Sequence, residues 1–488
     1  MAAGEYAGDH DAGPRVMTVI TIKRRAFLQS AIALPALLSL QRAVTKPRGR
    51  VVVLGAGLAG LAAAHELDAA GFDVTILEAR GRPGGRVYTM RAPFSDGLYA
   101  DAGAARIQDS HTFTLRFVKQ FGLTLEPFFP TSGARVTFVA GKRFSGPVAI
   151  GDIPLPFSEE ERKLGIPGSL NKYLFSHLAE LGDVSSASWP AQDLSRFEVS
   201  IDEFCRRQGA TPGFIRMIAL GHDLTGMSTL QFLRDAALGS STKMWFKIRG
   251  GNDLLPKAFA ASLSERIRYG SPVVRVEQDD NSVRVVYLRS DSPVTLVGDY
   301  IVCTLPPGVL RRVHIAPALS SAKQSAVTQV GSLAMARVFL QSRERFWLSR
   351  GETGWAASDD PMDIWDYTRD QPGRRGILGA YLSGRMALHV SALDRGARGP
   401  FIRERMERVH PGITEHAEVS ASHSWIADRW ALGAGVAFDA GQLSAHYQSL
   451  RRPEGRIHFA GEHTSPWSGW MNGGIESGLR AAAEITAR

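Results

Sequence analysis

Residues 51–87 read VVVLGAGLAGLAAAHELDAAGFDVTILEARGRPGGRV. The order is an apolar run, a glycine-rich turn, an alanine-rich stretch, a second apolar run and a second glycine turn. Val51–Leu54 suits a strand buried on both faces. Gly55, Gly57 and Gly60 form G-x-G-x-x-G, where glycine permits a tight turn, close approach of a pyrophosphate and close packing of helix on strand. A helix beginning near Gly57 turns its unpaired N–H groups and positive dipole end toward that phosphate. Val74–Leu77 is the second strand, and Glu78, eighteen positions after Gly60, ends it where a ribose 2′-OH can donate to its carboxylate. Glycines serving only helix–sheet packing would not require Glu78. The pattern therefore points to a dinucleotide and leaves NAD and FAD open.

The next residues address that choice. Arg82-Pro83-Gly84-Gly85-Arg86 follows the second strand directly. Paired glycines let backbone lie against a ligand, and the arginines add fixed positive charge beside a diphosphate. Here the sequence resembles the flavin-containing amine oxidases, whose pattern E-A-R-x-R-x-G-G-R is matched from Glu78, Ala79 and Arg80 to Gly85 and Arg86. A second match lies near the far end, RIHFAGEHT at 456–464 followed by GWMNGGIESGLRAA at 469–482. The resemblance implies FAD held between the two ends of the chain. It assigns Gly461 and Glu462 to the ribityl and phosphate region, and Trp470, Met471 and Ile475 to the flavin end. The helix near Gly473 then aims its N-terminus at the flavin N1–C2=O edge, where a dipole stabilises negative charge. Val274 is implied as the adenine contact. No cysteine lies just before the terminal helix, so the FAD is expected to be noncovalent.

The implied fold class is α/β, with a Rossmann-like FAD-binding domain of the GR2 type. That domain is discontinuous over 48–107, 246–317 and 450–488. A mixed-sheet substrate-binding domain is expected over 108–155 and 318–449, and a helical subdomain over 156–245. Strands are read at RVTFVAGKRF, SPVVRVEQ, SVRVVYL, ARVFLQ and GILGAYL, and helices at SLNKYLFSHLAELG, SIDEFCRRQG and PFIRERMERV. No internal repeat, coiled coil or low-complexity tract appears.

With 488 residues, 44% hydrophobic and 22% charged, the chain has the composition of a globular enzyme of two or three domains. Its net charge of +9 invites a polyanionic partner, but five of those charges fall within residues 1–50. The remainder shows no basic–aromatic interleaving, so no nucleic-acid partner is expected. The two cysteines, Cys205 and Cys303, set no disulfide framework. Ile22-Lys23-Arg24-Arg25-Ala26-Phe27-Leu28-Gln29 looks like a twin-arginine export signal within a leader of residues 1–47. The apolar run Ser30–Leu40 is too short to span a bilayer. A periplasmic or secreted location is therefore expected. Cleavage near Ala43, retention of the leader and a start at Met17 all stand open.

Arg106, in DAGAARI at 101–107, says most about the substrate. The stretch resembles the G-A-x-R-I segment of L-amino-acid oxidases, which places Gly103, Ala104, Ala105 and Arg106 along the flavin. A guanidinium there can grip an α-carboxylate with two parallel charge-assisted hydrogen bonds. An ordinary structural ion pair is the competing reading. The resemblance also assigns Tyr381 as a hydroxyl donor to the same carboxylate and Trp470 as a wall of the substrate site. The Cα hydrogen would pass to flavin N5, dioxygen would reoxidise the flavin to give hydrogen peroxide, and the imino acid would hydrolyse to a 2-oxo acid and ammonia.

Two departures from the family stand out. Arg337 occupies the strand position where relatives carry a lysine near flavin N5, which leaves oxidase and dehydrogenase both open. Gly435 stands where relatives often carry a larger side chain, which suggests room for a bulky, aromatic or long apolar amino acid. No metal site is expected, and His222 and His463 read as structural histidines. Trp245 and Phe246 fit either pocket or core. The expected partners are an amino acid or amine and dioxygen, and a homodimer is left open. The alternative function is a monoamine oxidase or amine dehydrogenase for a carboxylate-free amine. A third is an FAD-binding subunit without turnover, or a desaturase of lipid-like substrates.

Overall fold

Five parallel strands, in the order Ile267–Arg268, Asp73–Leu77, Arg50–Leu54, Tyr300–Cys303 and Ile457–Phe459, form the sheet on which the glycine turn is built. The computed structural model describes residues 47–488 apart from Ala191, Thr225 and Pro361. The leader with Arg24 and Arg25 lies outside the described residues. Arg50–Leu54 is the central strand, and Val51 to Leu54 are all buried. A strand covered on both faces needs no polar alternation, which is why it reads as an unbroken apolar run.

The helix Leu58–Ala69 begins at Gly57, which offers no side-chain cap, so its first N–H groups are left for a ligand. Gly60 fits because its Cβ would lie 2.0 Å from the Gly55 carbonyl oxygen. The last helix, Met471–Thr486, packs on the first through Gly478, where a Cβ would stand 2.2 Å from the Ala59 carbonyl oxygen. Gly60 thus seats the first helix on the glycine turn, and Gly478 seats the last helix on the first.

Beside this sheet runs a four-stranded one, in the order Ser292–Gly298, Val283–Arg289, Val273–Gln278 and His314–Ala316. A seven-stranded mixed sheet orders Ala417–Ser424, Met335–Ser342, Gly376–Ser383, Met362–Asp366, Glu352–Ser358, Ala134–Val139 and Lys142–Ser145. Its antiparallel register sets Arg337 opposite Tyr381 on one side and His423 on the other. The helices Glu159–Tyr173, Ile201–Arg207, Pro212–Ile218 and Thr229–Gly239 occupy the middle of the chain. The first opens with a capping box between Ser158 and Glu161. SLNKYLFSHLAELG does not form one helix: it breaks at Leu174 and continues as 3-10 turns over Phe175–Leu181. Tyr173 and Leu174 are buried there, and packing overrides propensity. Among the described residues no helix is long and apolar enough to cross a membrane.

Gly478→Ala is expected to destabilise the protein by about 1–3 kcal/mol through overpacking. Gly396→Ala, where a Cβ meets nothing within 4 Å, is the control. Equal thermal midpoints for the two variants would exclude a tight helix contact at Gly478.

Candidate active site

A cavity of about 330 Å³ runs along the glycine turn, the segment before the last helix and one face of the seven-stranded sheet. Its bare-backbone part is formed by Gly55 (φ +105°), Gly57, Gly84 and Gly85. A Cβ on Gly57 would meet nothing within 4 Å, so the turn stands open to the cavity. Glu78 lines the same wall and accepts from the Ala56 and Arg80 N–H groups, each at 2.8 Å. Burial pushes its carboxyl up, against the pull of those two donors and of Arg80. Arg80 pairs with Asp428 at 2.6 Å.

Arg86 spans to the other end of the chain, donating to Glu462 at 2.8 Å. Glu462 also accepts from the Gly469 N–H at 2.6 Å and the Val436 N–H at 3.1 Å. Burial alone would raise its pKa, but Arg86, His463 and the Gly469 N–H outweigh it and hold the carboxyl below the usual range. Gly103, Ala104, Ala105, Gly461, Trp470 and Met471 complete this wall.

Arg106, Arg337, Tyr381 and Trp470 all line the cavity. The Arg106 guanidinium sits 5.2–5.6 Å from the ring centroids of Trp365, Trp245 and Trp470. Among the described residues it has neither a hydrogen bond nor an ion pair. Arg337 is buried, bonded to the Tyr367 hydroxyl, and lies over Trp365 and Tyr381 at 4.8 and 4.6 Å. Tyr381 donates to the Met335 sulfur at 3.3 Å and stacks on Trp365 at 4.9 Å. Trp470 caps the last helix and packs against His111 at 5.0 Å.

A sequence profile of flavin containing amine oxidoreductases matches residues 58–486. The chain belongs to that family. A Bacillus subtilis (strain 168) protein named "Putative L-amino-acid oxidase YobN" is 31% identical over 450 residues, covering 89% of this chain and 94% of that one. The L-amino-acid oxidase of Demansia vestigiata is 28% identical over 452 residues, covering 89% of this chain and 86% of that one. Among solved structures, putrescine oxidase bound to putrescine superposes with a TM-score of 0.79 at 23% identity, covering 90% of this chain and 99% of that one. Cyclohexylamine oxidase from Brevibacterium oxydans IH-35A gives 0.78 at 23%, with the same coverage.

FAD is the cofactor of this amine oxidoreductase, and the residues present fit it. The open Gly57 cradle suits a diphosphate, and the Glu78 carboxylate suits a ribose hydroxyl. Cys205 and Cys303 are buried away from the cavity, so no thiol reaches it.

Several expected residues fall elsewhere. Gly60 packs against the sheet and does not reach the cavity. Val273 lines the wall while Val274 is 37% exposed, because neighbouring strand residues face opposite sides and a bulge follows Val273. Ile475 is fully buried in the core beneath the last helix, whose cavity side carries Met471 and Gly474. Gly435 does not line the cavity; a Cβ there would stand 3.3 Å from the Gly469 Cα, so its lack of a side chain eases backbone packing. Trp245 belongs to the cage around Arg106, and Phe246 packs on the core. His463 is buried, which pushes its pKa down to about 4, and His222 stands 5.8 Å from Tyr381. Among the described residues no group of His, Cys, Asp and Glu is placed to hold a metal ion. Asp235, Ser271, Trp425, Trp430 and Ser468 line the cavity unforeseen. No motif flags them, since each arrives through tertiary packing.

Glu462→Gln tests the central ion pair. Because its folded pKa is depressed, the pair stabilises above the unfolded value of ~4.3 and is lost as pH falls through the folded one. The variant is expected to be less stable by about 3 kcal/mol at pH 7. That gap should narrow in acid below the unfolded pKa, as read by urea unfolding of both proteins. A gap of constant size would rule out the charge as its source.

Proposed function

We propose that the enzyme oxidatively deaminates L-amino acids to 2-oxo acids, ammonia and hydrogen peroxide. The observation that carries this reading is Arg106. Of the arginines lining the cavity, Arg80 and Arg86 are ion-paired and Arg337 is bonded to Tyr367, whereas Arg106 has no anion among the described residues. Among the described residues no partner gives it the structural ion pair of the competing reading. A half-buried guanidinium without a counter-ion keeps its N–H donors open for a ligand that completes the pair. A substrate carboxylate does so with two parallel bonds, and amines lacking one do not. The names of the sequence relatives point the same way, while the solved neighbours, below 25% identity, speak to fold alone.

In this reading Arg106 and the Tyr381 hydroxyl hold the carboxylate, the latter by turning from Met335. The caging tryptophans keep Arg106 from swinging, and Trp470 fixes the side of the substrate. Holding Cα in one approach geometry is the chain's main contribution. FAD, when bound, supplies the acceptor for the Cα hydride and passes the electrons to dioxygen. The substrate amine must be neutral for hydride loss, so kcat/KM is expected to rise with pH until the amine is deprotonated.

Arg106→Met should lower kcat/KM for L-amino acids by about 10- to 150-fold, the ~1.5–3 kcal/mol of a charged hydrogen bond, and spare the matched decarboxylated amines. Anaerobic bleaching of the flavin by each substrate reads this. Bleaching by amines alone in the wild type would reject the amino-acid reading. Equal yields of 2-oxo acid and hydrogen peroxide in air are expected; turnover only with an added electron acceptor would make the protein a dehydrogenase.

A further inference from the structure

Three acidic side chains line the cavity: Glu78, Glu462 and Asp235. The first two are held by protein donors, Glu78 by the Ala56 and Arg80 N–H groups and Glu462 by Arg86, Gly469 and Val436. Asp235 differs. It projects from the helix Thr229–Gly239, and its Oδ1 is shut off from solvent with no hydrogen-bond partner. The adjacent arginine does not neutralise it by contact. Arg234 is fully buried and donates instead to Ser468 Oγ at 2.8 Å, with its guanidinium over Trp189 and Tyr447 at 5.4 and 5.1 Å. Among the described residues Asp235 has no ion pair.

The Arg234–Ser468 bond anchors this helix beside Ser468–Trp470, and Trp470 also faces the Arg106 guanidinium. One guanidinium and one carboxyl, each without an ion pair among the described residues, therefore line the same cavity. We infer that Asp235 is a specificity-determining residue that receives a second cationic group, at the far end of the substrate side chain. The favoured class is an α-amino acid whose side chain ends in an ammonium or guanidinium. This rests on the reading that Arg106 takes the α-carboxylate. An ion pair with the α-ammonium is the poorer assignment, because it would stabilise the protonated amine that cannot lose hydride. Burial pushes the Asp235 carboxyl up to about 7, with Arg234 lowering it and Glu462 raising it. An arriving cation would hold it ionised, and an apolar side chain would leave it unpaired.

The test compares kcat/KM of the flavin-loaded enzyme for L-lysine and L-norleucine, and in parallel for pentane-1,5-diamine and pentylamine. The wild type is expected to favour L-lysine over L-norleucine. Asp235→Asn should lower the lysine-to-norleucine ratio by about 10- to 100-fold, the range of one charge-assisted hydrogen bond, through loss on lysine and gain on norleucine. A wild type preferring norleucine overturns the inference without any variant. So does an Asp235→Asn enzyme that loses both amino acids equally, which would place the carboxylate at the α-amine. If both amino acids are idle and the amines turn over, the Arg106 reading fails on its own. The amine pair then decides Asp235: preference for the diamine, lost in Asp235→Asn, upholds it, and indifference rejects it.

Discussion

A carboxylate can remain ionised inside a protein only where donors surround it, and the assembly around Glu462 follows from that constraint. Arg86 comes from the turn after the second strand, Val436 from the short strand Val436–Ala437 paired with Gly331–Ser332, and Gly469 from the segment before the last helix. Three distant parts of the chain must arrive together to satisfy one anion. The same arrangement closes the cavity wall and positions Trp470 one residue beyond its anchor. Cofactor cradle and substrate wall are thus set by a single buried charge.

The cofactor half of the site was legible because its chemistry sits in consecutive residues. A strand, a turn with Gly55 at φ +105° and a helix start are local events, and Glu78 follows at a spacing fixed by one helix and one strand. Parity was not legible. Whether Val273 or Val274 faces inward depends on where the strand begins and on the bulge beside it, which neighbouring strands decide. The same limit applies to Ile475, one residue past Gly474 on the last helix. Gly435 shows a different failure, since a missing side chain reads as substrate space from sequence and turns out to face the Gly469 backbone outside the cavity lining. Asp235 was invisible because its helix carries no motif.

Around Arg106, packing rather than pairing holds a cation. Ring faces attract a guanidinium without consuming its N–H donors, so the donors stay free for a ligand while the group stays in place. Arg337 shows the contrasting solution on the strand Met335–Ser342, where a similar aromatic setting is combined with a hydrogen bond to Tyr367. Two arginines of one site are thereby given different availability by their surroundings.

The parallel sheet also has a temporal consequence. Its edge strand Ile457–Phe459 and the helix that packs on Leu58–Ala69 are synthesised long after the glycine turn. Until they emerge, the first helix lacks its partner and Arg86 lacks its anion. Residues 50–90 can be made early and still remain an open half-site while several hundred more are translated. A nascent chain stalled short of Ile457 therefore presents the dinucleotide turn without the strand, the helix and the Glu462 that complete its site.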